Sequence, residues 1–163
     1  LPGPTGEDNK LFLFGRGLMT LVVTETDPLA EAEKQIACAL LCGCPLVVAA
    51  HSSHRAGLES LQANYREAGL AGELLQLVSL ESLLPLIGDN RIEGVIANCL
   101  GRDSSALRQQ MANRSGSIIP LIEWPESDSG YNYHWLLWFL SERTRTENLV
   151  ARGGNTQLFN LVG

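Results

Sequence analysis

The 163-residue sequence contains no apolar run near the roughly 18 residues that a membrane-spanning helix requires. Its first residues lack the basic stretch, apolar stretch and cleavage site of a secretory signal. Positive charge is not in excess. The net charge is -6, the pI is near 5.0, and the single local group of basic residues is Arg143, Arg145 and Arg152. A basic face that could displace counterions from phosphate is therefore missing, which argues against nucleic-acid contact. The arginine group reads as a partner-facing or solvated polar edge. Cysteine is sparse, with Cys38, Cys42, Cys44 and Cys99. The spacing Cys38-x-x-x-Cys42-x-Cys44 is not the paired spacing of a zinc site, and no nearby histidine completes a ligand set, so no metal site is expected. These thiols lie among Ala and Leu, where cysteine behaves as a small hydrophobe. Buried, reduced cysteines fit a reducing compartment and lead us to expect a cytoplasmic protein.

A dinucleotide fingerprint is also missing. The nearest approach, Gly15-x-Gly17-x-x-Thr20, lacks its third glycine and precedes a strand, whereas the motif follows a strand and opens a helix. The first strand-to-helix turn is Glu25-Thr26-Asp27-Pro28, with no glycine and two acids, and carboxylates there repel a pyrophosphate. No cofactor is expected at that turn. His51-x-x-His54 at a strand end has no carboxylate at ligand spacing and reads as a polar loop pair. Cys99 follows a strand with Arg102 nearby, but no base accompanies it, so nucleophilic catalysis is not expected. Asn113-Arg114-Ser115 fits a glycosylation pattern that has no meaning without secretion.

What is present is an ordinary globular balance, with 45% apolar and 18% charged residues. The length suits one domain, or one domain with a tail. The chain opens on Leu1-Pro2-Gly3-Pro4-Thr5-Gly6 without a Met, and residues 1–9 read as a loop linking it to something upstream. Residues 10–14 suggest a short strand and 18–24 a stronger one. Asp27 is a candidate cap and Pro28 a candidate first residue for a helix that stops at Gly43. Residues 45–50 form a wholly apolar run, as in a strand covered on both faces. The alternation then repeats. A helix capped by Ser53 ends at Gly69, and a strand at 74–78 precedes a one- or two-turn helix at 80–87 containing Pro85. A strand at 92–97 leads to a helix from Asp103 to Gly116, and 117–123 read as the next strand. This pattern predicts an α/β, Rossmann-like, doubly wound, mostly parallel sheet over residues 10–124.

Residues 125–163 break the pattern. An acidic turn at 125–130 precedes Tyr131, Tyr133, Trp135 and Trp138, which with Trp124 suit either a core or an interface. Residues 142–146 favour a strand. Arg152-Gly153-Gly154-Asn155 suggests a tight backbone element, and residues 158–162 an apolar tail. The whole reads as an extended C-terminal docking tail.

Both ends resemble one family. Leu1-Pro2-Gly3-Pro4-Thr5-Gly6-Glu7-Asp8-Asn9 is similar to the segment after the catalytic part of the aldehyde dehydrogenase module in proline utilization A (PutA). The stretch from Glu142 through Asn148 and Gly153-Gly154-Asn155 to Leu158 is similar to that family's terminal motif, although Leu149, Val150 and Arg152 stand where small residues are usual. The resemblance implies a non-catalytic C-terminal domain of a bifunctional enzyme that uses FAD and NAD to convert proline to glutamate. Such a domain packs on the aldehyde dehydrogenase module of its own chain and helps to close the channelling cavity, in a parent that can be a homo-oligomer. The family's catalytic and cofactor residues have no counterparts here. Glu142, Arg143, Arg145, Asn148, Gly153, Gly154, Asn155 and Leu158 become the expected docking residues. The alternative reading is a small-molecule-binding regulatory module, using a sheet crevice edged by His51, Ser79 and Cys99.

Overall fold

The structure is a computed structural model that describes residues 7–98, 104–124 and 133–148. The strands are β1 (Glu7–Gly15), β2 (Leu18–Val23), β3 (Leu46–Ala50), β4 (Leu75–Ser79), β5 (Ile92–Ala97), β6 (Leu121–Glu123) and β7 (Leu140–Asn148). The helices are α1 (Leu29–Leu41), α2 (Arg55–Glu67), α3 (Leu83–Ile87) and α4 (Ser105–Asn113), and a 3-10 turn spans Tyr133–Phe139. The described residues divide into two compact units: those within 15–140 in one, and 7–14 with 141–148 in the other.

The larger unit is built on a five-stranded sheet in the order β4-β3-β2-β5-β6. Every neighbouring pair is parallel. This is the doubly wound arrangement expected from the alternating apolar runs. The chain winds outward from β2 in one direction, then crosses back to β5, so the strand order reverses between β2 and β5. β3 is buried along its whole length, which is why it carries no alternation of polar and apolar residues. On one face Met19, Leu21, Val23, Val48 and Ile96 pack with Ala32, Ile36 and Ala39 of α1 and Leu58 of α2. On the other, Val22, Val95 and Ala97 pack with Ile87 and Ile119.

The helix ends show where local chemistry decides. Gly43 has φ +76°, Gly43 N donates to Leu40 O at 3.0 Å, and Cys44 N donates to Ala39 O at 2.9 Å. The same paired bonds recur at Gly69, through Arg66 O and Tyr65 O. Both glycines end their helices as the sequence suggests, because the left-handed residue lets two orphan carbonyls be closed. The starts differ from expectation. Asp27 does not cap α1; its Oδ2 accepts from Thr24 N at 2.6 Å and Thr24 Oγ1 at 2.8 Å, and Pro28 is itself the cap residue rather than the first helical one. Ser53 does not cap α2 either. It lies in a 3-10 turn, Ser52–His54, whose cap is His51, and α2 begins at Arg55.

Two further differences concern extent. β1 begins at Glu7, so residues 7–9 are strand rather than loop. β6 is confined to Leu121–Glu123. Pro120 brings no N–H to a ladder, and the Arg114 guanidinium takes the carbonyl of Ser117 at 2.9 Å. The same guanidinium reaches the carbonyls of Ile87, Asp89 and Ile92 at 3.1–3.3 Å, tying the end of α3 to the start of β5. Finally, the aromatic segment completes the core beside α1. Phe139 is 0% and Trp124 1% exposed, and Trp135 packs against them, whereas Leu137 and Trp138 are exposed. Trp124 meets Trp135 edge-on at 4.4 Å between centroids, and Trp135 stacks on Trp138 at 6.3 Å. The smaller unit is a two-stranded sheet of β1 and β7.

Candidate functional site

In an open parallel sheet, ligands bind beyond the carboxyl ends of the strands, where the strand order reverses. Here that edge lies after Val23 of β2 and Ala97 of β5. The turn leaving β2 closes on itself. Asp27 N donates to Thr24 O at 3.2 Å, and the buried Asp27 carboxylate takes the Thr24 N–H and hydroxyl. The first turn of α1 carries its own anion, Glu31, whose two carboxylate oxygens accept from Lys34 Nζ at 2.6 Å and Trp124 Nε1 at 3.1 Å. A helix start favours negative charge, and Glu31 supplies it from within the chain. No glycine opens the turn for close approach of a phosphate. The residues present therefore do not fit a dinucleotide pyrophosphate.

The other strand-end residues are engaged locally. His51 Nδ1 lies 2.9 Å from Ser53 Oγ and accepts from Ser53 N at 3.3 Å. His54 Nε2 lies 3.2 Å from Glu25 O. Ser79 Oγ accepts from Glu81 N at 3.3 Å, capping the short turn after β4. His51 and Ser79 thus sit at neighbouring strand ends, as expected, and each closes its own turn. Cys99, Arg102 and Asp103 lie outside the described residues. Among the described residues no group of three or more His, Cys, Asp or Glu is arranged to hold a metal ion.

The described thiols serve the aromatic turn. Cys44 Sγ lies 3.2 Å from Phe139 O and Cys42 Sγ 3.6 Å from Leu136 O. Burial, with Cys44 and Cys38 close by, pushes the Cys42 thiol up to about 11, and burial raises Cys38 as well. A thiol so shifted is a poor nucleophile at neutral pH, because the thiolate is the reactive form. A groove of about 420 Å³ beside β6 is lined by Met111, Ile118, Ile119 and Leu121, with Arg108 and Arg114. Arg108 is paired with Glu123 at 2.5 Å and Arg114 with four carbonyls.

The unit formed by β1 and β7 has a different character. Leu11, Phe12, Leu13 and Phe14 follow one another along β1, and each is 41–51% exposed. Side chains alternate across a strand. Leu11 and Leu13 therefore share one face, and Phe12 and Phe14 the other. The two phenyl rings lie 6.2 Å apart, and the Arg143 guanidinium sits 5.3 Å from the centre of Phe14, within cation–π range. Thr146 Oγ1 donates to Asn9 Oδ1 at 2.6 Å. Lys10 pairs with Asp8 at 2.9 Å and Arg145 with Glu147. The Asp8 hydrogen bond and charge, and then Glu147, raise the Lys10 pKa. Of the expected docking residues, Glu142, Arg143, Arg145 and Asn148 are exposed on β7. Gly153, Gly154, Asn155 and Leu158 lie outside the described residues. Sequence reasoning assigned 10–14 to a strand but overlooked its surface. The signal was four apolar residues in a row, without the polar alternation of a half-covered strand.

No protein-family model and no curated protein matches the chain. Among solved structures, it is similar to PutA "with proline bound in remote sites", at 28% identity and a TM-score of 0.65, over 76% of this chain. A mutant of Bradyrhizobium japonicum proline utilization A gives 28% identity and a TM-score of 0.64 over 74% of this chain. Succinate-semialdehyde dehydrogenase from Burkholderia pseudomallei matches at 17% identity with a TM-score of 0.65, over 75% of this chain and 26% of its own. The chain spans 13% of the length of the two PutA chains it matches. The fold is that of an aldehyde-dehydrogenase-like Rossmann domain. No helix among the described residues is long and apolar enough to cross a membrane.

Proposed function

We propose that this chain is a structural and lid domain of a PutA-type bifunctional enzyme. In this reading it catalyses no step itself. It packs on the aldehyde dehydrogenase module of its own polypeptide and helps to close the cavity through which the proline-derived intermediate passes. The observation that carries the reading is the exposed apolar ribbon. A two-stranded sheet is marginal alone in water, and this one presents Leu11 and Leu13 on one face and Phe12 and Phe14 on the other. Each is already about half covered, so completing its burial is worth roughly 1 kcal/mol, and a partner surface that covers all four gains a favourable term. The dehydrogenase module of a longer chain is the partner that the PutA likeness suggests.

The crevice supports the same reading from the other side. The β2 turn takes up its own acidic side chain, and Trp124 and Lys34 hold Glu31 at the start of α1. FAD and NAD then belong to the parent enzyme and are held outside this chain. Closing a cavity between two active sites keeps the intermediate's effective concentration high and excludes bulk water. The parent is proposed to be cytoplasmic and able to form homo-oligomers.

Calorimetric titration of the chain with NAD tests the non-catalytic part. No saturable heat is expected up to millimolar NAD, and a micromolar Kd overturns it. A thermal-shift screen with nucleotides and amino acids addresses any other small ligand. A saturable rise of several degrees would mark a sensor instead, because binding to the native state alone stabilises it.

A further inference from the structure

We draw no further inference here: the strongest candidate, the exposed apolar surface of Leu41 at the end of α1 and of Leu137 and Trp138 on the aromatic turn beside it, carries nothing because no feature of the structure shows what covers it.

Discussion

Replacing Trp124 tests whether the aromatic segment belongs to the core of the sheet unit. The side chain is 1% exposed, meets Trp135 edge-on at 4.4 Å, and lies 6.4 Å from the Phe139 ring. Its indole N–H donates to Glu31 at 3.1 Å. Trp124→Ala leaves a large cavity between α1 and the aromatic turn and is expected to cost about 3–5 kcal/mol. For a domain of this size each kcal/mol lowers Tm by about 2–4 °C, so the fall should be roughly 6–20 °C. Trp124→Phe keeps most of the ring volume and removes the N–H. Glu31 retains Lys34 at 2.6 Å, so the lost bond should cost about 1–2 kcal/mol. The assay is thermal and urea unfolding followed by far-ultraviolet circular dichroism, reading Tm from the first and the midpoint at constant slope from the second. A cost below about 1 kcal/mol for Trp124→Ala would show that the aromatic turn does not pack on α1 as described.

Three further predictions follow from the same geometry. Alkylation of Cys42 by iodoacetamide, followed by site-resolved mass spectrometry, should be slow at neutral pH and keep rising toward pH 11, because its pKa is raised to about 11 from the ordinary value of 9.0; a plateau by about pH 10, as an unshifted thiol gives, would contradict the burial. The sign for stability follows: a raised folded-state pKa contributes stability that is fully present below the ordinary value of 9.0 and lost as pH climbs through about 11. Gly43→Ala should destabilise by about 1 kcal/mol, since φ is +76° although a Cβ there meets nothing within 4 Å; an unchanged denaturation midpoint would mean that the left-handed turn is not held. Arg114→Lys should cost about 1–3 kcal/mol, because one ammonium cannot serve the four carbonyls of Ile87, Asp89, Ile92 and Ser117; a neutral effect in the same unfolding assay would remove the clamp.

Much of the larger unit was legible in the sequence, because burial writes itself into strand composition. The apolar runs at 18–24, 45–50 and 92–97 became the three central strands, and Gly43 and Gly69 stopped their helices. What misled was local competition for the same backbone groups. Asp27 and Ser53 are good capping residues, but Asp27 is taken by Thr24 and His51 caps the turn that holds Ser53. A propensity scale cannot tell which of two nearby acceptors wins. β6 is shorter than the apolar run suggests because Pro120 brings no N–H to a ladder and Arg114, three residues before Ser117, takes its carbonyl; neither effect registers in a count of apolar residues. The candidate site was less legible. The acidic, glycine-free character of the β2 turn is legible in the sequence, but its closure through Thr24 and Asp27 depends on side-chain geometry, and the Trp124–Glu31 bond joins residues 93 positions apart. The exposed ribbon escaped notice because an apolar run reads the same whether its covering lies within the domain or in a partner. That ambiguity also made the aromatic run hard to place, and it divides: Trp124 and Phe139 are buried, while Leu137 and Trp138 face outward.

The lid reading rests most directly on how the intermediate travels between two active sites. The decisive measurement is a coupled assay on the full-length parent enzyme and on a version ending just before Leu1, supplied with proline and followed by NADH formation. The reading predicts no lag in the full-length enzyme and a clear lag after truncation, with each half-reaction assayed alone left unchanged. Identical time courses from the two proteins would contradict it.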